Sequence, residues 1–288
     1  MKSGVSFTGN TASSFGGAIA NNAGATVQSA GATFTTNSAK EGGAIYNLGS
    51  YTSKNGDTFA QNTASTAGGA IVNAQGAQYA STSDVFTNNT ANTHGGAIYN
   101  EGTFNSSGTS TKFSNNKAGY HGGAIYNTGT YTSSGTTYSG NVAGNAGTGE
   151  GSGGAIFNTE GATYISNGDV FTNNTANTHG GAIYNAGTFT LNDAYKSSFS
   201  GNTNIDTTNN LSSTAIYNAG TGVFNINNAN DTIDLDYVNW NTYNENTTIP
   251  TISNHKHLFA DGETIRNVGT LNITGSSLQL HQHSDLTK

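Results

Sequence analysis

The chain has 288 residues, of which 40 are Gly, one is Pro and none is Cys, and only 9% carry charge, for a formal net charge of −7. The acidic balance and a single arginine, Arg266, argue against a basic stripe for nucleic acid, and no apolar run approaches the roughly 20 residues of a membrane helix. Disorder would pair low hydrophobicity with high net charge, and a solvated random chain has no reason to space its apolar residues regularly, as this one does.

The N-terminus, MKSGVSFTGN, lacks the apolar stretch of a signal peptide and enters a repeat at once, so the chain is expected to be a segment of a longer protein. The first recurring block is aromatic-x-x-Asn, beginning at Phe7, Phe34, Phe59, Phe86, Phe113, Tyr138, Phe171 and Phe199. The second is Gly-Gly-Ala-Ile, opening at Gly16, Gly42, Gly68, Gly95, Gly122, Gly153 and Gly180, with a weaker copy, STAIYN, at Ser213. Their spacings are 26, 26, 27, 27, 31, 27 and 33 residues. The third block starts with Gly and rises to a bulky residue: Val27, Tyr51, Tyr79, Phe104, Tyr131, Tyr164 and Phe189. One stretch of 17 letters, DVFTNNTANTHGGAIYN, occurs unchanged at 84–100 and 169–185.

Each unit thus holds three short segments separated by Gly, Asn, Ser and Thr. They are too short for helices, which Gly at this density also opposes, and their Ile, Phe, Tyr and Thr fit strands between turns. One such unit cannot bury its apolar side alone, but a coil stacked on identical neighbours can. The predicted fold is all-β: a right-handed, single-stranded parallel β-helix (solenoid) of about 27 residues per coil and roughly ten coils, with strands about 4.8 Å apart.

Stacking assigns the repeated letters. Ile19, Ile45, Ile71, Ile98, Ile125, Ile156, Ile183 and Ile216 are expected to form one inward column, and Phe34, Phe59, Phe86, Phe113, Phe171 and Phe199 a second. With a period of two, the Asn that ends each Ile-x-Asn shares the Ile side and the residue between faces the other way. Asn47, Asn73, Asn100, Asn127, Asn158, Asn185 and Asn218 can then bond the next coil's Asn and backbone as a ladder. The Gly pairs permit close coil contact, and the invariant Ala beside Ile marks a crowded site.

The pattern breaks in three places. Insertions at 142–152 and 203–213 fall in the same turn of the coil and read as surface loops or as a contact edge. After Asn218 the chain is irregular until TIRNVGTLNITG (264–275), which resumes the pattern of AIYNAGTFTLN (182–192). The expected organisation is regular repeats over 1–218 and irregular coils with a loop or cap over 219–288. A long excursion is expected around 238–260, and Tyr237, Trp240 and Tyr243, with Asp234 and Asp236, are candidate partner contacts.

The alternation of GGAIYN, as at Gly42–Asn47, with FTNN, as at Phe86–Asn89, resembles the repeats of the chlamydial polymorphic outer-membrane proteins and related autotransporter passenger domains. The resemblance covers residues 1–218 and implies a surface-exposed β-helix used mainly in adhesion, at the bacterial surface or outside the cell. The tail LQLHQHSDLTK shows no barrel strand ending in an aromatic, so the expectation is a passenger segment that does not itself enter a membrane. Its partner would be a host-cell receptor, a glycan or another copy of itself.

The rival reading is a β-helix polysaccharide lyase or glycoside hydrolase. Hydrolysis needs two carboxylates about 5–10 Å apart; Asp231, Asp234 and Asp236 are the best acidic cluster, to be joined by His255 or His257, but a solvated strand face opposite a buried Leu explains them better. Lyases of this fold usually add basic residues, and no set of carboxylate plus Arg on neighbouring coils is visible. His94, His121 and His179 each precede a Gly pair, and His94 and His121 would stack about 5 Å apart on neighbouring coils. No third ligand recurs there, where Phe15, Glu41, Ala67 and Ser152 also occur. HKH (255–257) and HQH (281–283) read as exposed tails, and NNANDTIDLD lacks the glycine–aspartate spacing of a calcium solenoid. Thr-x-Thr pairs such as those in TFTTN do not repeat along one face as ice binding would need. The sequence therefore calls for no catalytic residue, no metal and no cofactor.

Overall fold

The computed structural model describes residues 1, 3–108, 110–145, 149–192, 197–204, 214–234, 238–240 and 264–279, with the side chains of 228–234, 238–240, 264–267 and 273–279 left aside. Over them the chain winds into a right-handed parallel β-solenoid, and every element among the described residues is a strand. The full coils after the first each give a strand to four sheets, one more than the three segments expected, and the first meets the fourth sheet only through the bridge of Thr11 to Ser38. The Phe sheet runs from Ser6–Thr8 to Ser198–Ser200, and the Ile sheet starts at Ile19–Asn21. The Tyr sheet starts at Thr26–Ser29. The fourth, the Ala sheet, consists of two-residue strands such as Thr63–Ala64, Thr90–Ala91 and Thr175–Ala176, too short to show an alternating pattern in sequence. Eight stacked strands of the Phe sheet bound about seven full turns among the described residues, against roughly ten coils expected for the whole chain.

Pairing is parallel and in register, so like residues face like: Phe34 opposes Phe59, Ile71 opposes Ile98 and Asn73 opposes Asn100. Beyond Asn218 the Ile sheet continues with Thr264–Asn267, Ile265 beside Ile216, and ends on Val238–Trp240. The Tyr sheet continues with Thr270–Gln279, Leu271 beside Phe224.

The interior is a set of columns. Ile45, Ile71, Ile98, Ile125, Ile156, Ile183 and Ile216 are buried, and Ile19, in the first coil, is half-buried. Phe34, Phe59, Phe86 and Phe113 are fully buried, their rings stacked 4.6–4.8 Å apart; Tyr138 takes the next place, followed by Phe171 and Phe199. In the Asn column, Asn73 Nδ2 donates to Asn100 Oδ1 at 2.8 Å and Asn100 Nδ2 to Asn127 Oδ1 at 2.7 Å. The same bond links Asn127, Asn158, Asn185 and Asn218 in turn, and the ladder begins one coil before Asn47, at Asn21.

The Asn of aromatic-x-x-Asn forms a second buried ladder that the sequence reading did not assign. Asn89 donates both its backbone N–H and its Nδ2 to Asn116 Oδ1 at 3.0 Å, and Nδ2 also reaches the Phe59 carbonyl. The residue just before this Asn turns the chain in a left-handed conformation, as at Asn88 (φ 56°) and Asn115 (φ 54°). That conformation suits the short polar Asn.

The Gly pair has two separate causes. Gly95 has φ 64°, and a Cβ there would lie 2.2 Å from the Ile98 carbonyl oxygen; a Cβ on Gly96 would lie 2.1 Å from the Gly123 oxygen of the next coil. The Ala that follows is fully buried, and its carbonyl serves two donors: Ala124 O accepts from both Ala97 N–H and Ile98 N–H at 2.9 Å. Gly96→Ala is therefore expected to lower stability by roughly 3 kcal/mol, read as a lower urea midpoint. Gly220→Ala, whose new Cβ would meet nothing within 4 Å, is expected to leave it within about 0.5 kcal/mol.

Candidate functional site

Between the buried Ile and Asn of each Ile-sheet strand one residue points outward. In register these form a row: Ala20, Tyr46, Val72, Tyr99, Tyr126, Phe157, Tyr184 and Tyr217. From Tyr99 to Tyr217 the rings stack continuously, with centroids 5.2, 5.2, 4.5 and 5.3 Å apart and planes within 14° of parallel. All five are half-buried. Their faces are covered by each other, so the row presents ring edges and phenol hydroxyls to solvent.

Where the residue before a Gly pair is aromatic, it borders this row and leans onto the ring of the following coil. Phe15 meets Tyr46 at 4.5 Å, His94 meets Tyr126 at 4.5 Å, His121 meets Phe157 at 4.6 Å and His179 meets Tyr217 at 4.4 Å. His94 and His121 stack 5.4 Å apart, 7° from parallel. Parallel imidazoles aim their nitrogens side by side instead of toward a common point, and among the described residues no three His, Asp or Glu are grouped to hold a metal. Burial, and secondarily the charge of His121, pulls His94 down to about 4; burial also lowers His121, whose Nδ1 accepts the Ser152 N–H at 3.1 Å. Both rings are therefore neutral near pH 7 and act as aromatic edges of the row.

The sign of the pH effect follows. With a folded pKa below its unfolded value, His94 contributes stability that is present above pH ~6.5 and is lost as pH falls toward 4. Its Nδ1 is also buried without a hydrogen-bond partner. His94→Phe keeps a ring against Tyr126 and is expected to lose less stability than the parent between pH 6.5 and 4, measured by urea unfolding across that range.

Inside the tube lies a polar seam that the sequence reading missed. A column of Ser, two residues after the inner ring of the Tyr sheet, faces a column two residues before the ring of the Phe sheet. The second column reads Ala32, Asp57, Asp84, Thr111, Thr136, Asp169 and Ser197, all buried. Tyr51 donates to Asp57 at 2.6 Å and Tyr79 to Asp84 at 2.5 Å; Tyr164 and Ser166 donate to Asp169 at 3.1 and 2.6 Å. The Asp57 backbone N–H donates to Asp84 at 2.6 Å, which ties adjacent coils. The available signal was the letter that opens the duplicated stretch: Asp84 and Asp169 each stand two residues before a Phe, as does Asp57.

Burial pushes the Asp84 carboxyl up to about 6, against hydrogen bonds from Ser53 and Tyr79 that lower it, and burial raises Asp169 as well. A raised carboxyl is the opposite case to His94: its stabilising contribution is full below pH ~3.8 and is lost as pH rises to about 6. Asp84→Asn is expected to remove up to about 3 kcal/mol of this loss, so that the variant gains on the parent from pH 4 to pH 7 in urea unfolding.

The contact residues expected from sequence fall where side chains are not described. Tyr237, Tyr243 and Asp236 lie outside the described residues, as do His255, His257 and the HQH tail; Asp231, Asp234 and Trp240 are described only as backbone positions in strands Val223–Asp234 and Val238–Trp240. Of the insertions, 146–148 and 205–213 also lie outside. A shallow groove of about 430 Å³ on the Ala sheet is lined by small side chains including Ala12, Ser38, Thr63 and Ser65, with Lys40 as the one charge. It offers no chemistry comparable to the ring row.

The model of the Chlamydia polymorphic membrane protein repeat matches residues 4–22, 31–48, 85–101, 110–128 and 170–186. Five segments of this chain thus resemble the polymorphic membrane protein repeat. Each match spans the aromatic-x-x-Asn turn through the Gly pair to the Ile-x-Asn strand, or part of that path, so the repeat contains two Asn ladders and one rung of the outer row. No curated protein and no solved structure matches the chain. Polymorphic membrane proteins are associated with the outer membrane and cell surface, and repeats of this type on a β-solenoid fit a surface autotransporter passenger.

Proposed function

We propose that the chain is a non-enzymatic adhesin, the contact-making passenger segment of an autotransporter-type surface protein, and that the outer ring row is its contact face. The observation that carries this is the run of five half-buried stacked rings from Tyr99 to Tyr217, with histidines along one border. Aromatic edges with hydroxyls at a wet surface suit partner contact. The described buried carboxylates support a structural use, since Asp57, Asp84 and Asp169 spend their oxygens on interior donors. The partner is a host-cell receptor, a surface glycan or another copy of the chain.

The test is binding of the purified chain to cultured host cells and to a glycan array. Replacing Tyr99, Tyr126 and Phe157 together by Thr, a strand former, is expected to cut binding at least about tenfold while circular dichroism stays unchanged. A variant with 238–260 shortened serves as comparison. Binding lost only in the shortened variant would move the site to the C-terminal excursion. Sugar polymers shortened by the parent chain would replace adhesion by the lyase or hydrolase reading.

A further inference from the structure

The outer face of the Phe sheet is composed unlike its neighbours. Each of its eight strands turns a central ring inward, so the residues on either side of that ring point outward. All of these outward positions hold Ser or Thr except Ala60, Val85, Lys112 and Val170. By contrast, the outer face of the Tyr sheet mixes Gln28, Gln78 and Asn105 with its Thr, and that of the Ile sheet is aromatic. Pairing in register draws the outward residues into two straight columns, with Thr33 beside Thr58 in the first and Thr8 beside Thr35 in the second. The strict Thr-x-Thr pair stands in this sheet only at Thr33 and Thr35, which is why the letters show no repeated row. Register makes the lattice, with Ser and Val taking the place of Thr.

The lattice is also flat. Adjacent strands ordinarily rotate by roughly 20–25°. Here the inward rings from Phe7 to Phe199 stack with centroids 4.6–5.3 Å apart and planes within 7° of parallel, so little twist accumulates. Outward groups therefore recur at one strand spacing, roughly 4.8 Å, along the rod and at two residue rises, roughly 6.7 Å, across it. Thr and Val are stiff at χ1, which fixes their positions before anything binds. A hydroxyl donates and accepts hydrogen bonds as water does, and only Lys112 brings a charge with a hydration shell of its own. The planar repeat is close to that of the oxygens on a face of hexagonal ice.

A separate observation points to water. Ser114, in the second column between Thr87 and Ser139, is 7% exposed, and its Oγ has no hydrogen-bond partner in the protein. A buried hydroxyl is costly without a partner, and an ordered water on this face would supply one.

We infer that the outer face of the Phe sheet binds ice, with ordered water seated on its two hydroxyl columns. The inference stands apart from the adhesive reading, which uses the outer face of the Ile sheet.

The test grows single ice crystals in a solution of the whole chain and reads the gap between the melting and growth temperatures. The chain is expected to open a gap and to facet the crystal. Thr58→Lys with Thr137→Lys puts into the first column the residue that Lys112 already holds there, so the coils still close, and is expected to abolish the gap. Lys112→Thr completes the column and is expected to widen the gap, an effect that loss of folding does not produce; it decides the question if the double Lys variant fails to fold. Thr132→Lys, outward on strand Thr130–Ser134 of the Tyr sheet, should leave the gap unchanged. Absence of gap and facets with the parent chain overturns the inference. So does a gap that survives the double Lys variant with unchanged circular dichroism, that Lys112→Thr fails to widen, or that Thr132→Lys removes. Binding to crystalline cellulose or chitin with no effect on ice overturns it in favour of a polysaccharide surface. Cell adhesion can fail while the gap persists, and the gap can be absent while adhesion holds, because the two faces differ.

Discussion

The backbone hydrogen bond from one coil to the same position in the next is the constraint on which everything else depends. Ala97 and Ile98 bond Ala124, and Gly96 bonds Gly122, so the coils are tied letter to letter. Once that register is fixed, each side chain meets its own counterpart at one strand spacing. An inward position must then hold a residue that packs well on copies of itself: a flat ring, an Ile, or an Asn whose amide donates up and accepts from below. Two Asn ladders extend the backbone lattice into the interior, where unpaired amides would each cost about 1–3 kcal/mol. The Gly pair follows from the same rule, because at Gly96 the next coil's carbonyl occupies the place of a side chain.

This rule explains what could be read from the letters. Ile, Phe and the Asn of Ile-x-Asn repeat because stacking repeats, and a repeat is visible without coordinates. The strand of the Ala sheet escaped notice because two residues carry no period. The second Asn ladder escaped because its Asn follows a left-handed turn residue, which flips the side chain inward against simple alternation. The outer ring row was visible only as the variable middle letter of Ile-x-Asn. Its lean onto His94, His121 and His179 depends on how one coil overlaps the next, which no spacing in a single coil reveals.

The interior seam shows the same lattice tolerating exchange when partners change together. Where the Tyr sheet supplies a hydroxyl inside, at Tyr51, Tyr79 and Tyr164, the facing column supplies a carboxylate, at Asp57, Asp84 and Asp169. Where it supplies Phe104 or Phe189, the facing residue is Thr111 or Ser197. Tyr131 instead meets the hydroxyl of Tyr138, and its coil carries Thr136. The acids are thus selected by the phenols that bond them, one coil at a time. His94 on the outer face and Asp84 inside titrate in opposite directions, so acidification weakens one and relieves the other.

The outer face is under no such compulsion. A middle letter of Ile-x-Asn need not be aromatic for the coil to close, as Ala20 and Val72 demonstrate within the same sheet. Rings held there over five consecutive coils are therefore not required for the coil to close, although each stacks on the next. At Val72 three outward positions shrink together while the coils on either side keep two tyrosines and two glutamates. Ala67, Val72 and Ala74 are nonetheless buried, so the row is broken there by a coil whose outward positions are covered by their neighbours.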